Sequence, residues 1–164
     1  MKQILLATGL LALPAVVSST QDAKQLPEIK QDDPRLERLR RFFAAYDSPL
    51  SSAAAEFLVA ADKNDLDWRL LPSISIVESS GGKAYANNNV LGWDNARRSF
   101  TSVQEGILAV ADRLANSKLY KDKDLDALLA TYNPVPNYPN RVKAVMRALG
   151  KGLDEEVAAL LPKI

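Results

Sequence analysis

Apolar residues recur three and four apart through most of the chain, the spacing of helices with one buried face. Asp33 and Pro34 read as an N-cap followed by proline at the first helical position. The segment from Arg35 to Tyr46 then sets Leu36, Leu39, Phe42 and Phe43 on one side. Ser48 and Pro49 break the chain, and a second helix is expected from about Ser51 to Lys63, with Ala54, Phe57, Leu58 and Ala61 inward. A central helix follows Asn64 and Asp65. Its cap is expected at Asp67, its buried face carries Leu70, Leu71, Ile74 and Val77, and Pro72 sits too deep for the first helical position, so the start is irregular or kinked. Gly81 and Gly82 supply the left-handed conformation that ends it. Residues 83–99 have no helical period and are rich in turn formers. Ser102 to Glu105 has the form of a capping box and opens a helix with Ile107, Val110, Ala111 and Leu114 inward. Asp124 caps a shorter helix ending near Tyr132. Pro134 and Pro136 exclude helix, Pro139 starts another, Gly150 is its expected stop, and a last short helix is expected from Asp154 to Leu161. The fold class expected is mainly α, with a small irregular or β-hairpin insertion after the central helix.

The amino end breaks this pattern. Lys2 precedes a nearly unbroken apolar stretch from Ile4 to Val17, and Val17, Ser18 and Ser19 offer small residues for cleavage. Residues 1–19 read as a secretory signal peptide, too short for a confident membrane span. Export to the periplasm or the exterior is expected, with no stable membrane span after cleavage. Residues 20–33 read as a linker and 34–164 as the folded domain.

Composition narrows the chemistry. The chain has 164 residues, no cysteine and no histidine. That removes disulfides, thiol nucleophiles, Ser-His-Asp catalysis and thiolate or imidazole metal sites; no metal or cofactor is expected. Basic and acidic residues number 21 and 20, and removal of residues 1–19 takes one lysine, leaving 20 of each. No electropositive surface for nucleic acid is indicated. Arg35, Arg38, Arg40 and Arg41 make one side of the first helix basic. This is a solvated face or, alternatively, an attraction for an anionic wall polymer.

The stretch from Leu66 to Trp93, LDWRLLPSISIVESSGGKAYANNNVLGW, carries the candidate chemistry. Glu78 falls in the last turn of the central helix. There the helix dipole and the apolar neighbours both disfavour its charge, which suits a general acid. Taken locally, the pattern favours a surface glutamate near a helix end over a general acid. The succession LLPSISIVESSGG, NNNVLGW, FTSVQEGILAVADRL and LLATYNP resembles lysozyme-like glycan-cleaving enzymes, in particular soluble lytic transglycosylases and bacterial cell-wall N-acetylglucosaminidases. The resemblance covers about Ala53 to Leu149 and rests on the order and spacing of its motifs.

That resemblance implies a lysozyme-like helical domain. It makes Glu78, in the Glu78-Ser79-Ser80-Gly81-Gly82 segment, the catalytic acid of an exported enzyme that cuts β-1,4 bonds of peptidoglycan. It places Tyr132 beside that acid, with Asn133 next to it. A Tyr132 closing its helix as a core residue is an equal reading, since a tyrosine can bury its ring and still offer its hydroxyl. Ser79, Asn87, Asn88, Asn89, Trp93 and Asn133 are the expected substrate contacts; turn chemistry for each asparagine and burial for Trp93 compete. A second carboxylate is sought at Asp94 or Asp112, of which Asp112 is expected to be exposed. The single-acid transglycosylase pattern does without one, because the 2-acetamido group of the sugar can act as nucleophile. Hydrolase and transglycosylase both stay open, and so does a non-catalytic glycan-binding or structural module of the same fold.

Overall fold

In the computed structural model, which describes residues 27–151, the chain forms six α-helices: α1 (Pro34–Ala45), α2 (Ala54–Lys63), α3 (Leu70–Ser79), α4 (Val103–Asn116), α5 (Leu125–Tyr132) and α6 (Tyr138–Lys151). The expected signal peptide, the first half of the linker and the last short helix lie outside the described residues. No helix among the described residues is long and apolar enough to cross a membrane. There is no strand among them either. The segment between α3 and α4 is a chain of turns rather than a hairpin, because left-handed residues interrupt it at Asn87, Asn88 and Asp94 to Ala96.

α1 begins as its residues dictate. The Asp33 carboxylate accepts from the Arg35 amide at 2.8 Å, with Pro34 where a missing N–H costs no bond. Arg35 also reaches Asp62 of α2 at 2.7 Å, and Arg38 donates to the Gly150 carbonyl of α6. Much of the basic side of α1 is thereby used within the fold. Leu36, Leu39, Phe42 and Phe43 pack inward, and Phe43 meets Phe57 of α2 at 5.5 Å between ring centres. The second helix opens three residues later than expected, because Pro49–Ala53 winds as a 3₁₀ turn capped by Ser48.

α3 is the axis of the molecule. Leu70 to Ile76 are all buried, so the helix is covered on every side instead of carrying one apolar face. α6 packs along it, and α2 lies between it and α4. Its start differs from expectation. Asp67 caps nothing in α3; it bonds the amide and guanidinium of Arg69 and so closes the preceding turn. The helix then starts at Leu70, which puts Pro72 in the first turn, where amides have no intrahelical partner. The missing Pro72 amide therefore costs no intrahelical bond.

Three further corrections concern caps. Ser102 accepts from the Glu105 amide at 3.0 Å, but the Glu105 carboxylate returns to Thr101 rather than to Ser102. α6 passes through Gly150 instead of stopping there. A Cβ on Gly150 would lie 2.9 Å from the Arg69 guanidinium, so this glycine makes room for a neighbour. α6 also begins at Tyr138, one residue before Pro139.

Candidate active site

α3 ends abruptly. Ser80, Gly81 and Gly82 take three successive left-handed conformations, with φ of 52°, 68° and 79°. The Gly81 amide bonds back to the Ser75 carbonyl at 3.0 Å, the wrap that satisfies a helix end. Ser79 fixes the turn from inside. Its buried hydroxyl donates to the Val90 carbonyl at 2.7 Å and accepts from the Gly82 amide at 2.9 Å. Ser79 thus holds the helix end against the loop and does not line the cleft.

Glu78 sits half-buried at this end and opens into a cleft of about 730 Å³. The turn segment Gly92–Phe100, the Ala109, Val110 and Arg113 side of α4, Leu119 and Tyr120, and the end of α5 from Thr131 to Pro134 complete its lining. The Asn133 side-chain amide donates toward Glu78 Oε1 at 3.4 Å, a long contact, while its oxygen accepts from the Val135 amide at 3.1 Å. Gly92 closes the other side of the carboxylate. Its φ is +68°, and a Cβ there would stand 2.5 Å from Glu78 Oε2.

Aromatic rings fill the ground beside the acid. Trp93 packs on Tyr120 at 5.8 Å and on Tyr132 at 5.6 Å. Tyr132 lies nearly parallel to Tyr138, with centres 6.2 Å apart. The Tyr132 hydroxyl donates to the Leu91 carbonyl at 2.5 Å, so it fastens the loop that carries Gly92. Burial raises its pKa well above the usual tyrosine value, and the Glu78 charge adds to this. Tyr138 is 1% exposed. Burial likewise raises its pKa well above the usual tyrosine value, followed by the charges of Glu78 and Tyr132. Its hydroxyl stands near Glu78 yet makes no hydrogen bond of normal geometry among the described residues.

Glu78, Trp93, Tyr132 and Asn133 therefore meet around one cleft. The loop asparagines do not. Asn89 is buried: its amide nitrogen donates to the carbonyls of Trp93 and Arg98, and its oxygen accepts from the Trp93 amide. Asn88 donates to the Phe100 carbonyl, and the Asn87 carbonyl accepts from the Phe100 amide. All three shape the loop instead of lining the cleft; the amides that suit sugars suit backbone equally well. Asp94 lines the cleft at its edge, exposed and paired with Arg97 at 2.9 Å. Asp112 is exposed, outside the cleft lining, and accepts from Asn116.

Sequence reasoning missed two residues beside the acid. Gly92 was visible only as a turn former, although a glycine next to a tryptophan in a loop facing a candidate acid is a usable signal for close approach. Tyr138 follows a proline-rich turn, and nothing in the apolar period marks where its hydroxyl goes. No group of three or more potential metal-ligating side chains occurs among the described residues. No family model matches the chain, and no curated protein matches it.

Proposed function

We propose that the chain is an exported peptidoglycan-cleaving enzyme that acts on β-1,4 glycosidic bonds, with Glu78 as its general acid. The observation that carries this reading is the setting of Glu78: a half-buried carboxyl at the end of a fully covered helix, opening into a cleft beside Trp93, Tyr132 and Asn133. Protonated Glu78 donates to the glycosidic oxygen as the bond to the anomeric carbon breaks, a step typically worth ~10² to 10⁴ in rate. The positive charge that develops on the sugar is oxocarbenium-like. Trp93 offers an apolar ring for a pyranose face, and Asn133 orients the carboxyl.

Two routes complete the reaction. The 2-acetamido oxygen attacks its own anomeric carbon as the leaving strand departs; the Glu78 carboxylate then removes the proton of the 6-hydroxyl, whose oxygen bonds the anomeric carbon as the acetamido oxygen leaves it, closing an anhydro ring. Alternatively a second carboxylate, at a typical separation of about 6.5–9.5 Å, activates water. Among the described residues Asp94 is the one other carboxylate in the cleft lining, and its ion pair with Arg97 and its exposure favour the first route.

The test is a peptidoglycan zymogram with mass spectrometry of the released muropeptides, run on wild type, Glu78→Gln and Asp94→Asn. Glu78→Gln is expected to lose at least ~10² in turnover while staying folded. A folded variant that kept more than about a tenth of wild-type turnover would remove Glu78 from the acid role. Anhydro ends with an active Asp94→Asn mark a transglycosylase; reducing ends with an inactive Asp94→Asn mark a hydrolase.

A further inference from the structure

We infer that the cleft holding Glu78 contains a subsite, formed by Arg98 and Arg113, for a carboxylate carried by the glycan. This deepens the glycan-cleaving reading and rests on it for the sugar chemistry. The charged side chains lining the cleft are Glu78, Asp94, Arg98 and Arg113. Asp94 is already paired, with Arg97. Arg98 and Arg113 form no ion pair and no side-chain hydrogen bond among the described residues. Arg98 acts on Glu105 through space only, and that carboxylate is occupied by Thr101. Two guanidinium groups therefore enter the cleft lining with their donors unused.

Their placement is also favourable. Arg113 follows Ala109 and Val110 by one turn of α4, on the stripe of that helix which lines the cleft. Arg98 belongs to the loop segment whose carbonyl Asn89 holds, so its backbone is anchored. Leu119, Val110 and Trp93 line the same space, and both arginines are exposed on its open side, within reach of an incoming strand. Guanidinium groups present planar forks that match carboxylates. A neutral chitin-like strand has nothing for them. A glycan bearing a lactyl ether acid, or a peptide stem ending in a carboxylate, has the matching group.

The experiment measures equilibrium binding in the Glu78→Gln background, so that no ligand is consumed. The ligands are a neutral N-acetylglucosamine oligomer, glycan strands stripped of peptide but keeping the lactyl carboxylate, and strands with intact stems. Adding Arg98→Gln and Arg113→Gln together is expected to weaken the carboxylated strands about tenfold at low salt, and the neutral oligomer by less than about twofold. Raising the ionic strength should shrink the difference. A loss on stripped strands assigns the lactyl group as the partner, and a loss on stem-bearing strands alone assigns the stem. Equal weakening of all ligands, no weakening, or no binding of any strand by the Glu78→Gln parent overturns the subsite. Inactive wild type that still discriminates the strands through these arginines would instead overturn the catalytic reading and leave the subsite standing.

Discussion

Gly92 and Glu78 are packed so closely that the glycine has no room for a side chain. A Cβ built on Gly92 would fall 2.5 Å from Glu78 Oε2 and 3.0 Å from Cδ. The backbone of the turn segment is thus one wall of the carboxyl group, and Glu78 can occupy its position only while residue 92 is glycine.

Gly92→Ala should therefore act on the acid before it acts on the fold. The added methyl meets the carboxylate, and alanine at φ +68° is strained. Overpacking of this kind costs about 1–3 kcal/mol, and a displacement of about 1 Å at a reacting group costs about 10² in rate. Urea unfolding and glycan cleavage measured side by side check this. Full activity in Gly92→Ala would show that the carboxyl group need not stay where it lies.

Ala96 offers the reverse change. Asp94, Asn95 and Ala96 lie at φ of 54°, 53° and 60°, a left-handed stretch closed by the Ala96 amide on the Gly92 carbonyl. Left-handed geometry costs a non-glycine residue roughly 1–2 kcal/mol, less the extra freedom glycine gains when unfolded. Ala96→Gly is expected to raise stability by up to about 1 kcal/mol in chemical denaturation. A clear loss would show that the Ala96 methyl makes contacts worth more than the strain.

Tyr138→Phe removes a buried hydroxyl that has no partner of normal geometry among the described residues. Leaving such a group buried costs about 1–3 kcal/mol, and phenylalanine preserves the parallel stack on Tyr132. Equal or slightly higher thermal stability is expected. A drop in stability of more than about 1 kcal/mol would mean that the hydroxyl is bonded, with Glu78 the nearest acceptor to suspect.

Acid should weaken the start of α1. The hydrogen bond from the Arg35 side chain is the main reason why the Asp33 carboxyl lies below its ordinary value, against an opposing effect of burial. A depressed folded-state pKa stabilises the fold above the unfolded value, near 3.9, and that contribution fades as pH falls through the folded one. Asp33→Ala is expected to lose about 1 kcal/mol at neutral pH, the usual worth of a cap. The difference from wild type should shrink below about pH 3. Urea midpoints at both pH values test this; a difference that does not change with pH would rule out the ion pair as its source.

The helices were legible wherever the signal is local. Asp33 with Pro34, Ser102 and Asp124 each carry their cap within three residues, and each holds in the structure. Asp67 misled because a capping residue was expected to serve the helix after it, whereas Arg69 claimed both its oxygens. Gly150 looked like a stop because its real constraint, the guanidinium of Arg69, is distant in sequence. The same distance hid the site. Which of Asn87, Asn88 and Asn89 points at solvent and which at the chain is settled by loop closure on Phe100 and Trp93, and no local pattern encodes that. Glu78 could be picked out because helix end and apolar run coincide in one stretch; Gly92 and Tyr138, its neighbours in space, could not.

Asn89 gives the cleft wall a chemical lifetime. One side-chain amide supplies the nitrogen that joins the Trp93 and Arg98 carbonyls. Hydrolysis of that amide, the ordinary ageing reaction of asparagine, would replace two donating protons with a carboxylate that can only accept. The Trp93 and Arg98 carbonyls would then face a negative oxygen, and the turn segment would be pushed open. Stored protein should accordingly accumulate a deamidated form with red-shifted Trp93 emission. If deamidation at Asn89 left that emission unchanged, the wall would be held by something other than this amide. An Asn89 that stays intact in stored folded protein would overturn this expectation.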